Sequence, residues 1–511
     1  WDFDSVQAIE NSKYSPDYAA DFLLPYQGRM LNKYPPGVAL AASPLYFGGL
    51  WLEYLTNQHW NYYGWGAQLG FFLSALIWAT LGLWFVYQTW LSMRVTPRIA
   101  GWLLLVVFVA GSIPVYTFQF PSMAHVYAFA CSSAWVYALV HIQQKNMLYL
   151  AVLSFSMLVW VRPIDILLLS AIPLVLTGVK LPEFSLRHLL LGSALAFCFA
   201  LGLLAVSFAQ TGHLTLFTYQ GEGFYFNRPE IAKVMFSFKR GLFVYAPLYL
   251  LVFPMALWVS RKTALLFFAF FALAVWITSS WWNWHYGDGF GMRAWIDFYP
   301  VLLLFIARGM LAAPRWVVRL SIVFAASTAL YGAVQNYQFM QGIMDPSDMD
   351  AEKFLHIAGA LDPKKAGELQ ATRDIPAFGS LGAPLFNGSL PDAIQTKQEF
   401  ELTQTIGLKP NPRYYLEVKG WVEEGSPSAA DEVKLVCDVT SANGSTVLYK
   451  AIPIKRIKKD YQGKSWLLHN TLNLSTPSSA SSIKVYFWNS QKQEISLKMI
   501  TLELRPITHG S

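Results

Sequence analysis

Long apolar stretches recur between about residues 64 and 340, separated by short polar connections. Each of them approaches the length that a helix needs to cross a hydrocarbon core of about 30 Å. Continuous apolar stretches of this kind are typical of transmembrane helices, so the pattern predicts ten spans. They lie at roughly 64–91, 99–117, 124–142, 147–161, 163–179, 188–210, 241–259, 263–280, 298–313 and 317–340.

From about residue 400 apolar and polar positions alternate, as in "YYLEVKGWVEE" and "SSIKVYFWNSQKQEISLKMITLEL". A period of two is typical of half-buried β-strands, and Asn443-Gly444 is a favoured hairpin turn. The sequence therefore predicts a polytopic α-helical membrane protein with a C-terminal all-β, jelly-roll-like sandwich. Its parts are a first outer loop with interfacial helices at 1–63, a transmembrane domain at 64–340, a linker at 341–399 and the sandwich at 400–511.

The connections between the predicted spans carry their basic residues on one side, which the positive-inside rule assigns to the cytoplasm. The outer side receives residues 1–63, the turn near Pro121, the loop at 211–240, the segment at 281–297 and everything after 341. One further span before Trp1 would bring the chain to the outer side, which gives about eleven spans in all. The basic residues of the cytoplasmic connections are Arg94, Arg98, Lys145, Lys180, Arg187, Arg261, Lys262, Arg315 and Arg319.

Composition narrows the class of protein. The 511 residues are 54% hydrophobic, 16% aromatic and only 14% charged, which is too little charge for the surface of a soluble globule of this size. The net charge of +7 is spread as single basic residues and forms no basic face, so we expect the bilayer as a partner and no nucleic acid. The three cysteines indicate no disulfide framework.

Two of the predicted spans, 147–161 and 163–179, are short, and Arg162 lies in the turn between them. Fifteen helical residues rise only about 22 Å, so the turn "VRPID" should sit below the membrane surface. A charge at that depth is costly and by default indicates function, although Arg162 could instead snorkel to the interface.

Five stretches on the outer side carry more polar and charged residues than simple connections need. Four of them are "WDFDS" with Asp2 and Asp4, "NKYPPG" with Lys33, "FPSMAHVYAF" with His125 and "TYQGEGFYFNRPE" with Glu222. The fifth, "SSWWNWHYGDGFGMRAWIDFYP", packs His285, Asp288, Arg293 and Asp297 among three glycines and four tryptophans, one of which is Trp282.

Each stretch also has a simpler interpretation. The histidine at the start of a span could be an ordinary interfacial residue, the tryptophans could belong to the aromatic belt, and terminal acids are usually solvated. No HExxH or comparable ligand spacing indicates a metal site. Asp2 and Asp4 stand out because they share one face of the membrane with Lys33, Arg162 and Arg293.

Acids and cations at an aromatic outer interface suit the transfer of a sugar from a lipid phosphate. A carboxylate takes the proton of the acceptor hydroxyl, and cations hold the phosphate as it leaves. Arginine can bind the phosphate through two parallel hydrogen bonds, whereas lysine acts as a point charge. The donor would be a long polyprenyl chain, which a protein meets only from within the bilayer.

With these motifs, residues 1–340 resemble the GT-C class of integral-membrane glycosyltransferases, in particular bacterial relatives of the protein O-mannosyltransferases and of the aminoarabinose transferase that modifies lipid A. "DFDS" and "NKYPPG" are similar to the family's acidic motif and the Pro-Pro turn that follows it in the first outer loop. "VRPID" is similar to a later turn between two short spans, and "FKRGLFVYAPLYLL" and "WHYGDGFGMRAWIDFYP" are similar to stretches of many bacterial members.

The resemblance implies an inverting glycosyltransferase that uses a polyprenyl-phosphate-linked sugar. It implies a bacterial inner membrane protein with its active site and C-terminal domain in the periplasm. Asp4 would be the general base, and Asp2 the second choice or a partner that orients metal or acceptor. The commoner Asp-Glu pair is absent because Ser5 follows Asp4.

Lys33 and Arg162 match positions that approach the lipid phosphate in the family, and Arg293 joins them by topology and charge. Some members use a divalent metal and others none, so the metal stays open, and no other cofactor is expected. The expected sugar or acceptor contacts are His125, Glu222, His285, Asp288 and Trp282.

Several alternatives stay open at this point, including the sugar and whether the acceptor is a protein, a lipid or a polysaccharide. A transporter or flippase of lipid-linked glycans would show related halves and polar residues through the midplane, whereas this sequence shows neither. A non-catalytic subunit of an envelope assembly would be favoured by loss of the first-loop acids, which are kept here. The tail resembles a carbohydrate-binding module, with "IKVYFWN" as its most suggestive strand, and a spacer or a lid over the catalytic face is the alternative.

Overall fold

The computed structural model describes two compact units, Trp1–Met340 and Gln341–Ser511, and each is considered by itself. The described residues of the first unit are 23–26, 29–57, 62–213 and 222–340. Those of the second unit are 341–346, 349–363, 380–381, 383–390, 393–396, 399–409, 413–424, 433–454, 456–459, 465–476, 479–489, 492 and 495–508.

The described part of the first unit is helical apart from one antiparallel hairpin, β1 Leu23–Tyr26 with β2 Arg29–Asn32. Three segments are 3-10 helices, at Pro163–Ala171, Pro247–Leu251 and Arg293–Phe298. The α-helices are α1 Gly37–Asn57, α2 Trp65–Ser92, α3 Pro97–Val109, α4 Ile113–Phe118, α5 His125–Val140, α6 Met147–Val161, α7 Ile172–Val175, α8 Leu186–Thr211, α9 Ile231–Phe236, α10 Leu242–Tyr245, α11 Val252–Met255, α12 Arg261–Ser279, α13 Tyr299–Ala312 and α14 Arg315–Met340.

The ten apolar stretches of the sequence all coincide with helical structure. Within the described residues, five helices are long and apolar enough to cross a membrane: Trp65–Ser92, Leu186–Thr211, Arg261–Ser279, Arg293–Ala312 and Arg315–Met340. Four shorter apolar helices accompany them, Pro97–Val109, His125–Val140, Met147–Val161 and Pro163–Val175. The chain is therefore a membrane protein, while the count of eleven spans stays a prediction.

Several predicted spans are broken into shorter helices, and proline lies at the breaks. The stretch 241–259 forms α10, the 3-10 helix Pro247–Leu251 and α11 in succession. The stretch 163–179 begins as a 3-10 helix of 9 residues. Because a 3-10 helix rises about 2 Å per residue, this piece covers more of the bilayer than an α-helix of equal length.

The centre of the first unit is occupied by α5 and the segment Arg293–Ala312. All but two of the 16 residues of α5 are buried, and Arg293–Ala312 is 78% buried. By contrast, only 6% of Leu186–Thr211 is buried. Helices that are apolar all round thus fill the interior or present their apolar surface to lipid, as expected in a bilayer.

The start of α2 is held against α1 by a close backbone contact and a buried acid. A Cβ atom on Gly49 would lie 2.0 Å from the carbonyl oxygen of Gly66. The buried carboxylate of Glu53 accepts a hydrogen bond from the Gly66 N–H at 2.8 Å. Glu53 therefore satisfies one of the free N–H groups at the positive end of α2.

The described residues of the second unit form one short helix, α15 Ala351–His356, and two antiparallel sheets. Its strands are β3 Ser380–Leu381, β4 Phe386–Ser389, β5 Ala393–Thr396, β6 Phe400–Gly407, β7 Arg413–Glu424, β8 Val433–Ser441, β9 Thr446–Pro453, β10 Arg456–Lys459, β11 Ser465–Ser475, β12 Ala480–Asn489 and β13 Ile495–Thr508. One sheet has the order β10-β11-β7-β13-β3, with β4 and β5 also paired to β13, and the other has the order β6-β12-β8-β9.

The two sheets pack on a shared core, to which β7, β11 and β13 contribute from one sheet and β8 and β12 from the other. The prediction of a hairpin at Asn443-Gly444 is confirmed, because β8 and β9 pair across it and Gly444 has a φ of 81°. The strands β3, β4 and β5 pair with β13, so the first strand of this sheet begins at Ser380. That residue lies within the segment 341–399, for which the sequence predicts a linker. Short strands with few apolar residues gave no periodic signal there.

We expect the substitution Glu53→Ala to lower the free energy of unfolding by about 2 kcal/mol, because a buried N–H at the start of α2 loses its charged acceptor. Glu53→Gln keeps an acceptor oxygen and should lose less. Thermal unfolding of the detergent-solubilised protein measures both, with Glu183→Ala at an exposed position as the control. Equal stability of Glu53→Ala and the control would contradict the proposed anchoring of α1 to α2.

Candidate functional site

Arg162 lies between α6 and the 3-10 helix Pro163–Ala171. Pro163 ends the preceding helix and favours the extended backbone of Arg162, whose φ and ψ are −149° and 103°. The guanidinium donates a hydrogen bond to Asp297 and forms an ion pair with it. Asp297 is fully buried and the side chain of Arg162 is only 13% exposed, so the ion pair is largely shielded from solvent.

A second buried acid, Asp165, faces this ion pair. Its N–H donates to the carbonyl oxygen of Arg162 at 3.0 Å, and its side chain is fully buried. The charges of Asp165 and Asp297 act on each other and on Cys131 of α5. Two acids and one guanidinium from separate elements are therefore gathered at one place in an apolar bundle.

The loop between α12 and the 3-10 helix Arg293–Phe298 has an uncommon backbone. Tyr286, Gly287, Gly289 and Gly291 have φ values of 60°, 77°, 151° and 59°. Arg293 fixes this loop by donating to the carbonyl oxygen of Asp288 at 2.7 Å and to that of Tyr286. The glycines of "GDGFG" thus serve a tight loop, as left-handed backbone requires.

Tyr286 is fixed by its hydroxyl group, which donates to the carbonyl oxygen of Thr278 at 2.9 Å. Burial raises the pKa of Tyr286, so the hydroxyl keeps its proton at neutral pH. The charges of Arg162, Asp165, Asp297 and Arg293 all act on this side chain. Tyr286 therefore stands among the charged residues as a neutral donor.

Tyr116 of α4 ties the same loop to the bundle. Its hydroxyl donates to the carbonyl oxygen of Phe290 and accepts from the Phe290 N–H, both at 3.0 Å. The buried His125 packs edge-on against the Tyr116 ring, with centroids 4.9 Å apart. The charges of Arg162 and Arg293 both act on His125, so these three predicted site residues share one cluster.

Lys33 and Glu222 form an ion pair, with 2.7 Å between Nζ and Oε1 and side chains that are 12% and 18% exposed. The turn that follows Lys33 leads into Gly37, which packs on the end of α6. A Cβ atom on Gly37 would lie 2.3 Å from the backbone nitrogen of Val161. Lys33 therefore belongs to a turn beside the helix end that carries Arg162.

The segment after Glu222 pairs with the loop that carries Trp282. Phe224 and Trp281 form a β-bridge, and the N–H of Trp282 donates to the carbonyl oxygen of Gly223 at 2.9 Å. The ring of Trp282 is 45% exposed. The turn that carries Lys33 thus contacts the segment at 222–226, which in turn contacts the loop at 281–292.

His285 and Asp288 lie on the same loop, and Asp288 is exposed. Burial, followed by the charge of Lys239, lowers the pKa of His285 to about 4. The imidazole is therefore neutral at pH 7, so it offers hydrogen bonds to a ligand and adds no positive charge.

The structure thus brings Arg162, Arg293 and His125 together and joins Lys33 to Glu222. All three predicted phosphate-binding cations have partners within the protein. The predicted base Asp4 and its neighbour Asp2 lie outside the described residues, so their position stays a prediction. No group of three or more histidine, cysteine or acidic residues among the described residues has the arrangement of a metal site.

Sequence reasoning missed Asp165 and gave Asp297 no role. The sequence did contain an indication of both acids, because an acid inside an apolar stretch such as "PIDILLLSA" or "AWIDFYP" is costly unless it is paired. No sequence pattern indicated Tyr116 or Tyr286, because their contacts join residues that are far apart in the sequence.

We expect Gly289→Ala to destabilise the loop by about 1–3 kcal/mol, because its φ is unfavourable for alanine and the new Cβ would lie 2.7 Å from the Tyr116 hydroxyl. Thermal unfolding in detergent measures the loss. Gly223→Ala is the matched control, since a Cβ there meets open space. A Gly289→Ala protein as stable as the control would show that the loop is not held as described.

Comparisons with known proteins find no match to a protein-family model and no match to a curated protein. Among solved structures, the chain is similar to the arabinosyltransferase EmbB from Mycobacterium smegmatis, determined by single-particle cryo-EM. The identity is 14% and the TM-score 0.29, over 85% of this chain, which spans 57% of the length of that arabinosyltransferase.

Proposed function

We propose that this chain is a membrane glycosyltransferase that moves a sugar from a polyprenyl-phosphate donor to an acceptor hydroxyl or phosphate. The observation that carries the proposal is the cluster of Arg162, Asp165, Asp297, Arg293 and His125, which separate segments bring together in an apolar bundle. Charged groups are costly in such a setting and mark functional sites by default. The proposed compartment is the periplasmic side of a bacterial inner membrane.

The phosphate of the donor would bind at Arg162 and Lys33. A planar guanidinium with five N–H donors suits a phosphate, and that of Arg162 lies against the buried Asp297. Lys33 pairs with Glu222 near the surface, where a phosphate competes with the carboxylate for the ammonium group. Arg293 would contribute positive potential, since its own hydrogen bonds go to loop carbonyl oxygens.

The reaction needs a base, which we assign to Asp4. Its carboxylate takes the proton of the acceptor hydroxyl while the hydroxyl oxygen forms a bond to the anomeric carbon. The bond between that carbon and the phosphate oxygen breaks, the configuration inverts, and polyprenyl phosphate leaves with one additional negative charge. The cations stabilise that charge as it develops, and Asp2 would orient the acceptor or a metal.

The sugar and the acceptor would contact the neighbouring loops. The half-exposed ring of Trp282 offers an apolar face, and the neutral His285 offers hydrogen bonds. Asp288 and Glu222 can accept hydrogen bonds from hydroxyl groups, and His125 lies deeper, beside Arg162 and Arg293. A few polar groups among aromatic rings are typical of small-ligand sites.

In the C-terminal unit we propose a sugar-binding surface on the outer side of the four-stranded sheet, named here the aromatic face. Ile483, Val485 and Phe487 of β12 point into the core, so the alternate residues point outward. The register aligns the outward residues with two rings that are 53% exposed, Phe400 and Tyr449. The aromatic face therefore comprises Lys484, Tyr486, Trp488, Phe400 and Tyr449.

Rings and charged groups alternate on the aromatic face. The Phe400 and Tyr486 rings meet edge to face at 72° with centroids 5.7 Å apart, and the Lys484 ammonium lies 5.4 Å from the centroid of the Tyr486 ring. Rings supply apolar contact to the faces of sugars, while lysines reach their hydroxyl groups. Acceptor recognition by this surface would fit the proposed transfer.

We expect Asp4→Asn to lower the transfer rate by 100-fold or more while the protein stays folded, because the amide cannot take the acceptor proton. The assay follows loss of a radiolabelled lipid-linked sugar in proteoliposomes. Asp17→Asn, in the same outer loop, is the matched control. Full activity of Asp4→Asn would remove the proposed mechanism, and flipping of the lipid without transfer by the wild type would favour a transporter.

We expect Phe400→Ala with Tyr449→Ala to weaken polysaccharide binding several-fold, because each exposed ring contributes about 1 kcal/mol of contact. Native gels that contain soluble arabinan, mannan or dextran retard the full-length detergent-solubilised protein if it binds them. Lys492→Ala, outside the aromatic face, is the control. Equal migration of wild type and double variant in every gel would contradict the assignment.

A further inference from the structure

We infer that the N-terminal end of α5, together with the side chains of His125 and Arg293, is a binding site for a phosphate group. The site adds backbone N–H groups to the cations Arg162 and Lys33, and it gives His125 a role other than contact with the sugar. The binding of phosphate rests on the geometry of this helix end. The role of the site in transfer, where it would hold the phosphate as its negative charge increases, rests on the proposed function.

The first turn of α5 carries buried N–H groups. Among the described residues, the backbone N–H groups of His125, Val126 and Tyr127 have no backbone acceptor, and no side chain caps the helix. Every helix begins with such N–H groups, and in an exposed helix water accepts their hydrogen bonds. Val126 and Tyr127 are 0% exposed, and buried donors of this kind are costly unless an acceptor meets them. This helix end is therefore suited to a ligand that brings acceptor oxygens.

The side chain of His125 supplies a further donor at the same end. His125 is the first residue of α5, and side chains of a helix tilt toward its N-terminus, so the imidazole projects over the first turn. The residue is 7% exposed, and its Nδ1 atom is buried without a hydrogen-bond partner among the described residues. A neutral imidazole carries its proton on either nitrogen, so Nδ1 can donate to an oxygen atom. The side chain thus indicates a ligand independently of the backbone.

Arg293 brings a positive charge to this end of α5. Its Nη1 atom lies 3.5 Å from the Sδ atom of Met123, in the turn that leads into the helix. A Cβ atom on Gly289 would lie 3.2 Å from the same Nη1 atom and 2.7 Å from the Tyr116 hydroxyl. The ring of Tyr116 in turn packs against His125. Contacts on two sides therefore place the guanidinium of Arg293 beside the first turn of α5.

Among the described residues, no acid neutralises Arg293. Its guanidinium donates to the carbonyl oxygens of Tyr286 and Asp288 and contacts the Met123 sulfur, and it forms no ion pair there. Asp288 is exposed and meets Arg293 through its backbone oxygen, and Asp297 is paired with Arg162. The N-terminus of a helix adds about half a positive charge, which acts more strongly where water is excluded. An anion would balance both positive charges.

A phosphate group fits this set of donors better than a carboxylate. The N–H groups of a helical turn and an imidazole approach a ligand from different directions, which suits the tetrahedral oxygens of phosphate more than two oxygens in one plane. The site is reached from the surface of the unit, because Ser122 is exposed and Ala124 and Arg293 are partly exposed. A free phosphate and a lipid phosphate both have the required oxygens.

In the proposed reaction the phosphate leaves the sugar with one additional negative charge. Backbone donors at the end of a buried helix are fixed in advance, so they stabilise this charge without rearrangement. Arg293 and Asp297, the partner of Arg162, are four residues apart on one 3-10 helix, which is about 8 Å along its axis. The site therefore adjoins the cation that is proposed to bind the donor.

The first experiment places an acid at the helix end by the substitution Ala124→Asp. We expect the affinity for phosphate to fall about tenfold or more, because the new carboxylate caps the N–H groups and occupies the positive end of α5. The Tm of the ligand-free variant should rise for the same reason. Asn146→Asp is the matched control, since it adds the same charge at the exposed N-cap of α6 and should bind phosphate as the wild type does.

Isothermal titration calorimetry of the full-length protein in detergent measures binding of farnesyl phosphate and of inorganic phosphate, with farnesol as the apolar control. Weaker binding of either phosphate by Ala124→Asp supports the site. Binding of inorganic phosphate identifies a free phosphate as a sufficient ligand, whereas binding of farnesyl phosphate alone identifies a lipid headgroup. Failure of the wild type to bind either phosphate, or equal affinities of Ala124→Asp and the wild type, would overturn the inference.

The second experiment tests the imidazole and decides the matter if Ala124→Asp does not fold. His125→Phe keeps a ring against Tyr116 but has no donor, so we expect a several-fold loss of phosphate affinity. His125→Gln keeps a donor and should lose less, and His188→Phe at the start of α8 is the control. Equal affinities of His125→Phe and the wild type would remove His125 from the site. None of these measurements needs transfer, so phosphate binding without any sugar transfer would keep the site and reject the proposed function.

Discussion

The structure of the first unit depends on how an apolar bundle accommodates charge. Helices that are buried among other helices offer no water, so a charged side chain there needs a partner of opposite charge or a set of backbone groups. Arg162 finds Asp297, and Arg293 finds two carbonyl oxygens of its own loop. At a distance from these residues, Arg308 donates to the carbonyl oxygens of Leu174, Val175 and Thr177. For Arg162 and Arg308 the compensating groups come from a remote segment, so the need to neutralise a charge fixes how those segments meet.

The same requirement explains why the loop at 281–292 has so many special residues. Two of its carbonyl oxygens accept hydrogen bonds from Arg293. The chain reaches this arrangement with left-handed backbone at Tyr286 and at three glycines. Tyr116 then pairs with both backbone groups of Phe290, leaving no room for a side chain at Gly289. The conformation of the loop is thus set by its hydrogen bonds to Arg293 and Tyr116. Its outward residues, Trp282 and Asp288, are the ones left free for another role.

Much of the architecture could be predicted from the sequence because hydrophobic periodicity is a local property. Apolar stretches located the helical segments of the first unit, alternation located β7, β8, β9, β12 and β13, and Asn443-Gly444 located a hairpin. The breaks at Pro163 and Pro247 were visible as prolines, but the change from an α-helix to a 3-10 helix depends on packing. The short strands β3 to β5 gave no signal, because their pairing with the end of the chain is a long-range property.

For the candidate site, the sequence indicated charged residues but not which of them would pair. Lys33, Arg162 and Arg293 were expected to meet a ligand phosphate, yet each also has a partner inside the protein. Which cation pairs with which acid depends on the tertiary fold, since Lys33 and Glu222 or Arg162 and Asp297 are remote in the chain. Asp165 was overlooked because an acid beside an arginine in "VRPID" looks like an ordinary turn until both are found buried.

The acids that pair with Lys33 and Arg162 also affect how a site of this kind would bind an anion. A guanidinium or ammonium group left without a partner in a bilayer would be costly in the empty enzyme, so a resting site needs counter-ions of its own. Glu222, which is partly exposed, can be exchanged for an incoming phosphate at Lys33, whereas the fully buried Asp297 cannot leave Arg162. The two ion pairs therefore differ in the burial of their acid, which is partly exposed in Glu222 and fully buried in Asp297. In the proposed function, an anion would replace the carboxylate of Glu222 at Lys33, while Asp297 would keep Arg162 in place.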